Sequence, residues 1–133
     1  MREADDRRGL RRDAFCERLE RAVRTYYQLV DANDVDGVVA MFAEDAVYNR
    51  PGYDPLIGRR QIERFFRDQR VIERGRHTVT EVVVSGSVVA VHGACSATLK
   101  SGRDLDLRFA DFFVANASGA FQKRDTFFFA PLV

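Results

Sequence analysis

Residues 25–66, TYYQLVDANDVDGVVAMFAEDAVYNRPGYDPLIGRRQIERFF, change periodicity repeatedly, and those changes decide the fold. Tyr26 and Val30 end a stripe that begins at Phe15 and runs through Leu19, Ala22 and Val23, the spacing of an amphipathic helix from roughly 13 to 32. Asp13 is the expected N-cap. Asn33-Asp34 interrupts the helix, and Asp34 can cap a short second one carrying Val38, Val39 and Phe42. A brief strand is expected from Ala46 to Arg50. Pro51-Gly52-Tyr53-Asp54-Pro55 disfavours regular structure and reads as a loop. Gly58 then leads into a third helix, with Ile62, Phe65, Phe66, Gln69 and Ile72 on one stripe and Gly75 as its C-cap.

Beyond Gly75 the pattern becomes that of strands. Residues 78–84, 88–99, 105–114 and 121–129 are rich in β-branched and aromatic side chains. Ser85-Gly86, Ser101-Gly102 and Asn116-Ala117-Ser118-Gly119 separate them as hairpin signals. Helices first and a meander of strands afterwards define an α+β domain: three N-terminal helices covering a curved, mainly antiparallel sheet, with a pocket between the layers. One such domain is expected over 13–133, behind a charged, disordered tail at 1–12, MREADDRRGLRR. Phenylalanines fall on both faces of the late strands, so the second sheet face needs a cover, and a homodimer would supply it.

Composition narrows the function classes. The 133 residues carry 21 Lys+Arg against 20 Asp+Glu, a formal net charge of +1, which argues against an electrostatic nucleic-acid binder. No apolar stretch approaches the ~20 residues that span a bilayer. Cys16 and Cys95 form no CxxC pair, so neither a disulfide framework nor a zinc site is indicated. Reduced thiols and a charged N-terminus without a signal-peptide core point to a cytoplasmic protein.

The ionisable groups converge if both hairpins are two-residue turns. With Lys100 paired to Arg103, His92 falls opposite Asp111; with Val84 paired to Ser87, His77 falls opposite Ala94, which shares a face with His92. His77, His92 and Asp111 then project from three neighbouring strands onto one face, an arrangement that a one-residue bulge would break. Asp111 stands in an alternation of Leu105, Leu107, Phe109 and Phe113, where an acid must be paired or protonated. The competing structural reading is that Asp111 accepts a hydrogen bond from a core Tyr or His, that His92 is a satisfied core histidine and that His77, at the start of a strand, is an exposed or capping residue. Tyr26 lies on the buried stripe of the first helix, Tyr48 and Arg50 share a face of the short strand, and Tyr53 sits in the loop beyond. Arg50 could clamp a carboxylate or an enolate. Glu81 falls on the histidine face by the same parity, and Asp31 closes the first helix.

Residues 14–130, and the 25–66 stretch above all, resemble the nuclear-transport-factor-2-like superfamily, which includes ketosteroid isomerases, SnoaL-like polyketide cyclases, limonene epoxide hydrolases and scytalone dehydratase. The resemblance implies a cone-like α+β barrel with a deep apolar pocket. It matches Tyr26 to the oxyanion-hole tyrosine of ketosteroid isomerases and Asp111 to their protonated aspartic acid, while Arg50 stands where their base aspartate would be. His92 stands where limonene epoxide hydrolases carry an arginine. Asp31, with His77 in GRHTV and His92 in VVAVHG, is similar to the Asp–His pair and second histidine of scytalone dehydratase.

These residues imply a cofactor-independent isomerase, dehydratase or cyclase that moves a proton on a small, mostly apolar carbonyl substrate of polyketide or terpenoid type. His92 is expected as base or acid, with Asp111 orienting it or donating to an oxyanion, Tyr26 donating to the enolate and His77, held by Asp31, as second acid. Arg50, Tyr48 and Tyr53 are the expected substrate contacts. The alternative is a non-catalytic binding domain or partner subunit using the same pocket. A metal held by His77, His92 and Asp111 as a facial triad is a third reading; the resemblance brings neither metal nor cofactor, and none is expected.

Overall fold

The computed structural model describes residues 2–129, with side chains from residue 7 onward. Helix α1 spans Arg2–Asp31, so it begins well before Asp13, and Asp13 lies inside it rather than capping it. The charged stretch expected to be disordered is therefore helical from Arg2; it is rich in strong helix formers, and only Gly9 disfavours the helix. Met1 lies outside the described residues, as do residues 130–133. Leu19, Val23, Tyr26, Tyr27 and Val30 form the buried stripe of α1, three and four residues apart. Asn33, at φ 56°, turns the chain, and the Asp34 carboxylate accepts from the Gly37 amide at 3.0 Å to cap α2, Val35–Ala40.

Strand β1 spans Phe42–Asn49, earlier and longer than expected, and β2 is the short Leu56–Ile57. Helix α3 covers Gly58–Arg64 and runs into a π-helical turn, Phe65–Gln69, closed by the Arg70 amide donating to the Phe65 carbonyl at 2.8 Å. That turn ends the helix. Gly75 is not a C-cap: it lies within β3, Ile72–Ser85, where pairing with β4 overrides the local glycine signal. β4 (Val88–Leu99), β5 (Asp104–Ala115) and β6 (Phe121–Phe129) complete the sheet. Its order is β2-β1-β6-β5-β4-β3, antiparallel throughout except for the parallel β1–β6 pair. The sheet is open, and the helices cover one face.

Two irregularities fix which side chains face inward. The β4–β5 hairpin has three loop residues: the Leu99 amide donates to the Arg103 carbonyl at 2.8 Å, and Gly102 sits at φ 88°. A three-residue loop with a left-handed glycine shifts register by one against a two-residue turn. In β3 the pairing slips between Val79 and Glu81, leaving a bulge that reverses the alternation below it. Beside this bulge the strands approach so closely that a Cβ on Gly93 would lie 2.4 Å from the Thr78 carbonyl oxygen. His77 consequently pairs with Cys95 rather than Ala94. No helix among the described residues is long and apolar enough to cross a membrane.

Candidate functional site

The inner face of β4 carries Val89, Val91, Gly93, Cys95 and Ala97, all buried. His77, opposite Cys95, joins that face; His92 does not. His92 is exposed on the outer face, opposite Glu81 on one side and Ala110 on the other, with its Nε2 3.2 Å from an Arg108 guanidinium nitrogen. The predicted alignment of His77, His92 and Asp111 is therefore corrected: the three-residue hairpin loop separates His92 from Asp111, and the β3 bulge separates His77 from His92. A facial metal triad of those residues cannot form, and among the described residues no group of three or more His, Cys, Asp or Glu could hold a metal ion.

Asp111 does face the core, at 0% exposure. Its carboxylate accepts from the Tyr27 hydroxyl at 2.5 Å, from Arg124 Nε at 3.1 Å and a terminal Arg124 nitrogen at 2.8 Å, and from the Thr126 hydroxyl. Arg124 also donates to the Tyr26 hydroxyl at 2.6 Å, and its guanidinium lies 4.6 Å from the Tyr48 ring centre. Burial opposes the Arg124 charge, but the Asp111 carboxylate together with the Tyr26, Tyr48 and Tyr27 hydroxyls outweighs it and holds the guanidinium pKa well above its ordinary value. Burial also raises the Tyr26 and Tyr27 phenols. Asp111 and Tyr26 thus form a closed buried network around Arg124. Neither lines the cleft described next.

That cleft lies between the helical layer and the inner sheet face. Val30, Tyr48, Arg50, Phe66, Arg70 and His77 line it together with side chains of β4, β5 and β6, and it has ≈ 30 Å³ of free volume, room for one or two waters. Asp31, at the end of α1, grips His77 twice: Oδ1 lies 2.5 Å from Nδ1, and Oδ2 accepts the His77 backbone amide at 2.8 Å. Nδ1 is so engaged, and the ring also meets the Cys95 thiol, which lines the cleft as well. The ring is stacked obliquely on Tyr27, 5.2 Å between centres, with Phe109 edge-on at 5.4 Å. Burial lowers the imidazole pKa, yet the Asp31 hydrogen bond and the neighbouring Cys95 outweigh it and raise it above the usual value.

Arg50 leans over aromatic rings, 4.7 Å from the centre of Phe65, 5.2 Å from Tyr53 and 5.5 Å from Phe128. It donates to the Tyr48 hydroxyl at 3.5 Å, while its Nε is enclosed without a partner. Tyr53 stands behind Arg50 rather than in the cleft wall, with its hydroxyl donating to the Gln69 carbonyl at 3.2 Å. Of the expected site residues, the fold gathers His77, Asp31, Arg50 and Tyr48; Tyr26 and Asp111 lie behind the wall, and His92 lies outside. Arg70 and Arg124 were missed. The signal for Arg124 was partial: an acid set in an apolar alternation needs a partner or a proton, and a cation is one such partner. Arg70 gave none, since it follows a helix whose end the sequence misplaces.

Against known proteins, the SnoaL-like domain family matches residues 23–121. Among solved structures, the epoxide hydrolase/cyclase-like enzyme SalBIII, which has a role in pyran ring formation in the polyether salinomycin, superposes with a TM-score of 0.76 at 23% identity, covering 85% of this chain and 92% of that one. An NTF2-like protein of unknown function from Burkholderia pseudomallei gives 0.77 at 22% identity, covering 84% and 91%. An epoxide hydrolase from M. tuberculosis, similar to limonene epoxide hydrolases, gives 0.75 at 17% identity, covering 86% and 84%. At these identities the likeness is one of fold.

Proposed function

Since this chain belongs to the SnoaL-like family and adopts its cone-like fold, we propose that it is a cofactor-independent acid–base enzyme in which His77, not His92, moves the proton. The observation that carries this reading is the Asp31–His77 pair at the wall of a cleft lined by both aromatic and cationic side chains. Nε2 would take a proton from the carbon next to a substrate carbonyl, and Asp31 would stabilise the resulting imidazolium and keep the ring in place. The enolate oxygen would meet the Arg50 guanidinium and the Tyr48 hydroxyl, both of which line the same cleft. Returning the proton at a second carbon is isomerisation, expelling a β-hydroxyl is dehydration, and attack on a second carbonyl is cyclisation; all begin with the same step.

The test follows solvent deuterium into a panel of small ketones and enones by proton NMR. His77→Gln is expected to slow exchange by about 10²–10⁴-fold, with Asp31→Asn intermediate. Undiminished exchange by folded His77→Gln protein would refute the assignment. The competing reading, a binding or partner domain, draws on the narrowness of the cleft; it predicts ligands that bind without exchanging. The exposed outer face of the sheet, where Phe127 is 55% and Phe129 71% accessible, is proposed as the contact between two copies of the chain.

A further inference from the structure

Three arginines, Arg50, Arg70 and Arg124, border the cleft, and the fold treats them differently. Arg124 is matched by Asp111. Arg50 and Arg70 have no carboxylate within ion-pair distance among the described residues. Arg70 is only 7% exposed, with its guanidinium 5.8 Å from the Phe66 ring centre. Arg50 keeps an enclosed Nε that nothing accepts from. A guanidinium stays charged under all ordinary conditions, so placing the buried Arg70 and the half-buried Arg50 on one small cavity without an acid is unfavourable until an anion arrives. Burial pulls the Arg70 pKa down, and the Arg50 charge adds to it.

We infer that the cleft is a receptor for an organic carboxylate on a small apolar body, held by Arg50 and Arg70, which deepens the acid–base reading above by naming its substrate class and rests on it. The planar forks of the two arginines suit the two oxygens of a carboxylate. Phe66, Phe109, Phe128 and Ile72 supply the apolar surroundings for the rest of the molecule. The free volume of ≈ 30 Å³ takes only a few atoms, so a larger ligand requires lining side chains to move. A carboxylate so held would bring its neighbouring carbons into the cleft that His77 also lines.

Titration calorimetry at constant ionic strength, with acetate, butyrate and benzoate against the corresponding amides, tests the inference. At least one acid is expected to bind about tenfold or more tightly than its amide, the preference that charge-assisted hydrogen bonds give. That preference should vanish in Arg70→Gln and in Arg50→Gln. Ligand-free Arg70→Met is expected to melt higher than wild type, because an uncompensated buried cation has been replaced by an apolar side chain. Equal binding of acids and amides, or acid preference unchanged in both Gln variants, would overturn the proposal. Deuterium exchange on neutral ketones by a protein indifferent to carboxylates would sink the anion receptor and leave the acid–base reading standing. Arg-dependent carboxylate binding without exchange of any ligand would do the reverse.

Discussion

Replacing Asp111 with Asn tests whether this residue is architecture or chemistry. The wild-type carboxylate accepts from Tyr27, from two nitrogens of Arg124 and from Thr126, all inside a fully buried shell. Asparagine keeps the shape but removes the charge, and turns an NH₂ group toward at least one of those donors. Arg124 is then a buried cation facing only neutral groups, and breaking such a pair from one side costs about 3–5 kcal/mol. Small domains have only about 5–15 kcal/mol in total, so the variant should be severely destabilised. Exposed pairs such as Arg24–Glu20 contribute roughly 0–1 kcal/mol and serve as the control. Urea unfolding followed by circular dichroism reads the loss, with an unchanged slope showing that the same surface is exposed. Asp111→Leu combined with Arg124→Met should lose less than Asp111→Asn alone, because both charges leave together. A loss below about 1 kcal/mol in Asp111→Asn, or a double variant no better than the single, would refute the view that Asp111 exists to neutralise Arg124.

His92→Ala should leave exchange activity at the wild-type level, since the ring lies on the outer face beside Arg108; a loss of turnover without unfolding would return His92 to the mechanism. The pH dependence of stability should carry the signature of His77. Its folded pKa is raised above the ordinary 6.5, so the Asp31–His77 contribution is fully present below about 6.5 and is lost as pH rises through the folded value. Melting temperatures of wild type minus His77→Gln should therefore fall across that range, and a difference that is flat or grows with pH would contradict the pairing. Sedimentation velocity should find a dimer in wild type and a monomer in Phe127→Lys, because Phe127 packs edge-to-face with Phe112 on the exposed sheet face, ring centres 6.0 Å apart. A wild-type monomer at tens of micromolar would overturn the proposed self-association.

The α+β class, the Asp34 cap, the four long strands and the Asp31–His77 match were legible because each depends on local pattern or on a motif that tolerates small errors of register. The predicted histidine cluster had no such tolerance. The sequence signals two-residue turns at Ser85-Gly86 and Ser101-Gly102; the chain instead turns at Gly86-Ser87, with Ser85 paired to Val88, and makes a three-residue loop before Arg103. The first shift moves the pairing sum by two, which preserves faces. The second moves it by one and sends His92 and Asp111 to opposite sides of the sheet. The bulge between Val79 and Glu81 then turns His77 inward, and nothing in TVTEVVV announces it. Period-two structure carries no memory of an error, so one misplaced residue inverts every side chain beyond it.

Partners explain the remaining misreadings better than residue types do. An acid in an apolar alternation needs a proton only where no cation reaches it; Arg124 on β6 reaches Asp111, and the acid neutralises a structural pair. Arg50 and Arg70 are the reverse case. They are cations of the kind that Arg124 shows this fold can neutralise with a placed carboxylate, and beside the Asp31–His77 pair the described chain places none. A fold that pairs one buried arginine and leaves two unpaired on the cavity wall has separated the charge it needs to hold its core from the charge it can offer to a ligand.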